Sequence, residues 1–501
     1  MEMNERLAFG YGTSGHGGEA PSRAVARPEL PDVVESGLVS VPIEVSAPLA
    51  RKRPARSERR DLAFTGLLAF TALLFFRPQE QISALNPLHL AEVSALAALA
   101  AMVFGRLQRG LGVTRYTPEL GGVLLLGFTI LATAPFSIWM GGSVRTFTEV
   151  YLKIILIFIL MVNTLTTPKR IDRFLWLIVM ASGYIALRAV MDYSRGINLV
   201  ENGRVQGAVG GMFKNPNDLA LNMVAVIPLA TSLAMRAATT VRRMAAAGCA
   251  LLMIGAVVAS QSRSGTIGLA VMIVFLGAFV ARKRPAIVIA GILAAVLALP
   301  VLPSSYWNRL SSITDQTADE TGSREARQIL LKESFRAFLL HPLTGVGAGQ
   351  FKNYDPEGRQ QAWRESHNVV LQVAAELGIV GLFAFLFLVA RAATARSQTR
   401  KLLKRAGGLP SRRPVSKPID APAVTPAESE WLQSHMGAMT AALAGWFFCA
   451  LFASVAYNWT FYYLLALAVA PREFLLQRLA ETRRSRQPDV AAAAHLREVR
   501  A

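Results

Sequence analysis

Apolar residues in this chain occur in long runs that are separated by short polar segments. Clear examples are the runs at 219–235, 244–260 and 268–281. A helix needs roughly 20 mostly apolar residues to cross the hydrocarbon core of a bilayer, and broken or tilted helices need fewer. Several runs approach that length, so the pattern predicts membrane spans rather than buried helices of a soluble core.

The pattern as a whole predicts an all-α, polytopic integral membrane protein with about twelve transmembrane helices. The predicted spans are 61–76, 88–105, 119–139, 148–166, 171–191, 218–235, 244–260, 264–281, 285–303, 367–391, 434–456 and 458–475. Residues 1–60 are polar, rich in Gly, Pro and Ser, and lack the apolar core of a signal peptide, so they are predicted to be a disordered tail. The membrane domain is expected at 61–475, and a second cytoplasmic tail at 476–501.

The formal net charge of +20 is explained by where the cations lie. Lys and Arg gather at the ends of apolar runs instead of forming one basic face, and no nucleic-acid-binding module occurs, so a nucleic-acid partner is disfavoured. Alternate connections are rich in cations, starting with the six in 51–60, and the connections between them are poor in cations. Because cytoplasmic loops carry the excess of Lys and Arg, both termini are predicted to be cytoplasmic.

Two predicted external segments, 192–217 and 304–366, carry more cations than this topology requires. The second is the one long external loop, and its eight cations are balanced by eight acidic residues. Within it, 323–340 has apolar residues at helical spacing with Arg and Lys on other faces. We therefore expect a large, partly helical periplasmic loop with one or two amphipathic helices over the outer membrane surface.

Arginines in these external segments predict a site for a phosphorylated lipid, because guanidinium groups bind phosphate oxygens bidentately and stay charged at any working pH. Three candidates stand out: Arg204 just before the span at 218–235, Arg263 in the very short turn SQSRSG, and Arg324 at the head of the loop helix. The alternative for each is an interfacial arginine that meets lipid headgroups. That alternative is weakest for Arg263, because Arg on a tight external turn opposes the topology bias.

His367 lies where the long loop enters the span at 367–391. A histidine titrates near neutral pH, as a general base must, although many histidines at membrane boundaries are only polar anchors. Glu376 lies nine residues further on, inside the same span, where a carboxylate is usually paired. An ion pair with an arginine such as Arg263 and a purely structural role are both open for Glu376.

Other chemistries are disfavoured by the sequence. The glycine-rich GVGAGQF (345–351) has no preceding strand or βαβ context, so it predicts a turn and not a nucleotide-phosphate loop. No His, Cys or carboxylate spacing typical of a metal site occurs, and no Gly-x-Ser-x-Gly elbow. Neither a metal nor another cofactor is predicted.

Four motifs in order resemble the bacterial O-antigen ligase family, also called the Wzy-C superfamily. They are RVQGAVGGMFKNPNDLAL (204–221), SQSRSGTIGL (260–269), REARQILLKESFRAFLLHPLTGVGAGQF (324–351) and SHNVVLQVAAELGIVGL (366–382). The family includes O-antigen ligases, some polysaccharide polymerases and protein O-oligosaccharyltransferases. In one place the chain departs from it: the family often has an aromatic residue in the loop helix near Lys332 and Glu333, and here that place is charged.

The resemblance implies a glycosyltransferase of the bacterial inner membrane that acts at the periplasmic face. Its donor would be a glycan on undecaprenyl pyrophosphate, and its acceptor a glycolipid such as lipid A-core, with inversion and without a metal. Carried over by motif, Arg204 and Arg263 would bind the donor pyrophosphate, with Arg324 as a further binding residue. His367 would activate the acceptor hydroxyl, and Asn368 and Glu376 would support the site.

Other functions stay open at this point. The same chemistry would serve a polymerase that extends a lipid-linked glycan, or an enzyme whose acceptor is a protein. A transporter of lipids or polysaccharides would also use intramembrane charges and broken helices, although it would more naturally show repeated halves.

Overall fold

The computed structural model of the chain describes residues 61–200, 203–282, 284–311, 323–355, 359–360, 363–409 and 423–486. The predicted disordered tail at 1–60 and residues 487–501 of the predicted C-terminal tail lie outside the described residues. Regular structure in the described part is helical apart from one antiparallel hairpin, in which β1 (Leu199–Val200) pairs with β2 (Arg204–Val205).

Sixteen α-helices are present in the described ranges. They are α1 Leu62–Phe76, α2 Pro78–Gln81, α3 Leu90–Leu107, α4 Pro118–Thr133, α5 Met140–Thr146, α6 Leu152–Thr164, α7 Pro168–Arg195, α8 Pro216–Arg236, α9 Thr240–Ala259, α10 Arg263–Ala281, α11 Pro285–Ala298, α12 Ser304–Ser311, α13 Ser323–Leu340, α14 Val369–Arg405, α15 Pro426–Ala450 and α16 Trp459–Arg486. A π-helical turn, Phe147–Tyr151, joins α5 to α6.

Every predicted span coincides with a helix, and nine helical segments of the described chain are long and apolar enough to cross a membrane. The other three predicted spans are α11, α15 and α16. α11 is apolar but has only 14 residues, and α15 and α16 mix polar and charged residues with apolar ones. The chain is an all-α, multi-pass membrane protein, as its hydrophobic pattern predicts.

α8 lies at the centre of the bundle. It packs against α7, α9, α10 and α15, and 83% of its apolar window is buried, the largest share among the nine segments. Helices α3 and α10 bury far less of theirs. Exposed apolar side chains on such helices suit contact with lipid. Because lipid tails are themselves apolar, these side chains gain no hydrophobic free energy by packing against protein instead.

Residues at the predicted cytoplasmic ends of different spans meet at one end of the bundle. Arg170 pairs with Asp61 at 2.8 Å, and Arg236 pairs with Asp172 at 2.9 Å. The carboxylate of Glu119, at the start of α4, is fully buried. It binds the guanidinium groups of two arginines, which are Arg391 (2.7 Å) and Arg472 (2.7 Å). The alternating charge pattern therefore predicts correctly which helix ends lie together.

Two helices continue past the apolar runs that predict their spans. α14 reaches Arg405, inside the connection predicted at 392–433, since Ala392, Ala395, Thr399 and Leu403 maintain a buried face at helical spacing. α16 passes the predicted membrane-domain boundary at 475 and reaches Arg486. In both extensions the apolar run has ended, but the helix continues.

The described part of the long loop, which leaves out 312–322, 356–358 and 361–362, contains two α-helices, in agreement with the expectation. In α13 the buried residues Ala326, Leu330, Ser334 and Ala337 recur every three or four positions. This face packs on α14, while Phe335 and other residues of the opposite face are exposed. α13 is thereby fixed against the membrane domain beside the entry to α14.

Candidate active site

Arg204 is held at the junction of three elements. It lies in the hairpin that follows α7, and only 5% of its surface is exposed. Its Nε donates to the carbonyl oxygen of Ser260 at 3.2 Å, and a terminal nitrogen donates to Oδ1 of Asn217 at 2.7 Å. The hydroxyl of Ser262 donates to the same Asn217 oxygen at 2.8 Å. Arg204 thus connects the start of α8 with the turn between α9 and α10.

Arg263 is the first residue of α10, directly after that turn. The turn is tight: Gln261 has a left-handed φ of 47°, and the side chain of Ser262 caps α10 by accepting a hydrogen bond from the N–H of Gly265 at 3.1 Å. The side chain of Arg263 is half-buried. The structure therefore brings Arg204 and the Arg263 turn together, although they lie far apart in the sequence.

His367 is fixed by the segment between α15 and α16. It has a left-handed φ of 50°, and its N–H donates to the hydroxyl of Ser454 at 2.9 Å. Next to it, Asn368 donates to the carbonyl of Leu451 at 3.0 Å and caps α14 by accepting from two N–H groups of the first turn. A strained backbone held by several bonds is typical of a functional position. These contacts support a positioning role for Asn368.

A cavity of about 960 Å³ lies between the 200–218 segment, α12, α13 and the entry to α14. Arg204 and His367 both line it, and the other charged lining residues were not singled out from the sequence. Its cations are Arg204, Lys214, Arg309, Arg327 and Arg364, and its carboxylates are Asp218 and Glu365. Arg263 is not among the described lining residues, but its turn binds Arg204 at the cavity wall.

The cations of this cavity act on the protonation of His367. Burial first, and then the positive charges of Arg327 and Arg364, lower the pKa of His367 to about 4. A neutral imidazole has a free lone pair on one ring nitrogen. At neutral pH His367 is therefore in the form that accepts a proton.

Arg324 lies at the second position of α13, and its side chain is outside the described part of the chain. The structure instead places Arg327 of the same helix at the cavity, together with Ala326 and Leu330. Arg327 follows Arg324 by three residues and precedes Leu330 by three, so all three lie on one helix face. This spacing is the signal in the sequence that would have identified Arg327.

The contacts of Glu376 favour a structural role, which is one of the two alternatives. Its carboxylate accepts a hydrogen bond from the N–H of Gly349 at 2.9 Å, and its carbonyl accepts from Gly347 at 2.9 Å. α14 is broken two residues later at Gly378, whose φ of 64° and ψ of −161° are not helical. The glycine-rich segment forms turns, as expected, and supplies backbone bonds where this break leaves the helix without its own.

These contacts place the four motifs of the sequence around one cavity and its walls. The sequence model described as O-antigen ligase (Wzy_C) matches residues 248–386, from α9 into α14. This part of the chain is similar to the O-antigen ligase family. The matched segment contains Arg263, Arg327 and His367, whereas Arg204 lies before it. No curated protein matches the chain.

Proposed function

We propose that this protein transfers a glycan from undecaprenyl pyrophosphate to an acceptor hydroxyl in the 960 Å³ cavity, at the periplasmic face of the bacterial inner membrane. The observation that carries the proposal is the meeting of five cationic side chains with a neutral histidine in one cavity at the predicted external end of the bundle. The match of residues 248–386 to the O-antigen ligase family model supports this class of reaction.

The cationic side chains suit a pyrophosphate. Arginine binds phosphate oxygens through paired N–H groups, and a cavity with four arginines and a lysine stabilises the charge that develops on a leaving pyrophosphate. Arg204 is already oriented by Ser260 and Asn217, so little ordering is needed when the donor binds. In the proposed site Arg204 is the fixed member of the set, and the Arg263 turn holds it.

The proposed step is a displacement at the anomeric carbon. The acceptor oxygen forms a bond to this carbon while its proton passes to a ring nitrogen of His367. The bond from the anomeric carbon to the pyrophosphate oxygen breaks, and the lipid pyrophosphate leaves with the electron pair. Attack opposite to the leaving group inverts the anomeric configuration. The protein contributes orientation, charge stabilisation and a proton acceptor to this step.

A lipid-linked glycan as acceptor would make the protein a polymerase, and lipid A-core would make it a ligase. The cavity described here suits both, because it supplies the same pyrophosphate and base chemistry for each. A transporter is favoured less, since the cationic side chains and His367 meet at one end of the helices and not along a path through the bundle.

The proposal is tested with purified protein in lipid vesicles, lipid-linked glycan extracted from the cells that make the protein, and lipid A-core. We expect transfer by the wild type and loss of about 10²–10⁴ in rate for His367→Ala, the usual contribution of a general base. His89→Ala is the matched control: His89 is exposed, has the same left-handed backbone and is not a lining residue of the cavity. Full turnover by His367→Ala would exclude the proposed base.

A deletion strain separates the two acceptors. Free lipid-linked polymer together with bare core identifies a ligase, whereas core that carries a single repeat unit identifies a polymerase. An unchanged lipopolysaccharide profile would contradict both, and would direct the search to exopolysaccharide or protein acceptors.

A further inference from the structure

Trp363 is a large aromatic residue at the cavity that is left open to solvent. Its exposed fraction is 79%, and it lines the cavity next to Arg364 and Glu365. Its φ of 66° is left-handed, which costs free energy in a residue other than glycine. An indole that is mostly exposed buries little apolar surface to offset a strained backbone, so the position suggests a binding role.

The side chain of Arg359 makes several contacts with residues near Trp363. The Arg359 guanidinium lies over the ring of Phe351, 4.5 Å from its centre, and donates to the Phe351 carbonyl at 2.6 Å and to the Arg364 carbonyl at 3.0 Å. It also pairs with the carboxylate of Glu333 at 3.4 Å. The Arg359 side chain thus contacts α13 and the carbonyl groups of Phe351 and Arg364, which lie on either side of it in the sequence.

Two further hydrogen bonds lie in the same region. Glu333 accepts from the N–H of Gln360 at 2.7 Å, and the N–H of Trp363 donates to the carbonyl of Lys352 at 3.1 Å. Glu333 is one of the two charged residues that α13 has where the resemblance predicts an aromatic side chain. Here the carboxylate at 333 binds Arg359 and Gln360, and Trp363 supplies the aromatic surface at the cavity.

We propose that Trp363 is the sugar-stacking residue of this cavity, and that it binds the pyranose ring attached to the donor pyrophosphate. One face of a pyranose presents C–H groups, which pack on the electron-rich face of an indole. Arg364 and Glu365, which follow Trp363 at the same cavity, bind the ring hydroxyls through charge-assisted hydrogen bonds. The inference rests on the proposed function, because the cavity must bind a glycan donor.

The test measures binding and not transfer, with the full-length protein in detergent. The two probes are undecaprenyl pyrophosphate without sugar and lipid-linked glycan extracted from the producing cells. For Trp363→Ala we expect affinity for the glycan-bearing lipid to fall about tenfold, in the range of a lost aromatic stacking contact, and affinity for the bare lipid to stay unchanged. Trp363→Phe retains most of the affinity because it keeps an aromatic face.

Trp307 offers the matched control. It is also a partly exposed tryptophan of the long loop (40%), but it packs edge-on against Tyr306 and is not a lining residue of the cavity. Trp307→Ala is expected to bind both lipids as the wild type does. Equal weakening of both lipids by Trp363→Ala, or no weakening of either, would overturn the assignment. A wild type that binds the glycan through Trp363 yet transfers nothing would keep this inference and refute the proposed function.

Discussion

The pH dependence of transfer follows from the surroundings of His367. If His367 is the base, it must be neutral, and its pKa of about 4 keeps it neutral down to mildly acidic pH. Its pKa is lowered relative to the ordinary value of about 6.5, so activity is expected to persist below that value and to be lost only as the pH falls toward 4. The rate of the wild type should therefore be nearly flat from pH 8 to pH 5.

The size of the effect is large enough to measure. At pH 5 a group with a pKa of about 4 is roughly 90% neutral, whereas one with the ordinary pKa of about 6.5 is roughly 3% neutral. The two cases differ about 30-fold in the fraction of competent enzyme. The assay measures initial rates of transfer at donor concentrations far below KM, because kcat/KM reports the pKa of the free enzyme. The pH runs from about 3.5 to about 8.5, which includes the expected midpoint, and each rate is normalised to that at pH 8.

The perturbation that tests the cause is Arg364→Gln. Removing this cation should raise the pKa of His367 and move the acidic limb upward, although not to 6.5, because burial is the larger cause and remains. Arg309→Gln is the control: Arg309 also lines the cavity, but it is not among the charges that lower this pKa. It should weaken donor binding and leave the midpoint in place.

A midpoint near 6.5 in the wild-type pH–rate profile would refute the reasoning. It would mean that burial and the neighbouring cations do not lower the pKa of His367. If the wild type and Arg364→Gln had the same midpoint, the charge of Arg364 would not set the pKa of the catalytic base, and the proposed cause would be wrong.

Variants at four further positions test individual contacts. Arg204→Ala should lower transfer by about 10²-fold or more, and Arg204→Lys should not restore it, because an ammonium group cannot reproduce the two-directional guanidinium bonds; rates of both are compared at saturating acceptor. Glu119→Ala removes the buried carboxylate shared by half-buried Arg391 and buried Arg472, and of its ion pairs in the described part of the chain Arg472 keeps only that with Glu473. The variant should cost about 3 kcal/mol of stability, visible as a lower melting temperature in detergent, and an unchanged melting curve would contradict this. Gly378→Ala should prevent accumulation of folded protein, because a Cβ would lie 2.6 Å from the Leu343 backbone at a φ of 64°; size-exclusion chromatography reports the outcome. Ser454→Ala removes the bond to the N–H of His367 and should lower kcat up to about tenfold with little change in KM, so a pure KM effect would speak against a positioning role.

Much of the architecture follows from one-dimensional pattern. The lengths of the apolar runs predict where helices cross the membrane, because only a helix satisfies its own backbone in hydrocarbon. The alternation of cations predicts which helix ends share a side, as the contacts of Arg170 with Asp61 and of Arg236 with Asp172 show. When a helix continues beyond its apolar run, as α14 does, hydropathy alone does not locate the end of the helix.

Within the site, local spacing leads to Arg204, Arg263 and His367, and the resemblance assigns their roles. Three features depend on chain segments that are distant in the sequence. They are the anchoring of His367 by Ser454, the pairing of Glu376 with Gly349 instead of Arg263, and the lowered pKa of His367 beside Arg327. Short-range periodicity carries no information on such contacts.

Hydropathy and charge along the chain are enough to identify a helical membrane protein, to predict cationic external segments and to predict a histidine at a membrane boundary. The packing of distant segments sets which loop cations share a cavity with that histidine and leaves Trp363 exposed beside it. The physical reason is that hydropathy and charge act on each segment separately, through transfer from water to lipid. Burial, pKa and cavity shape depend on the side chains that packing brings together.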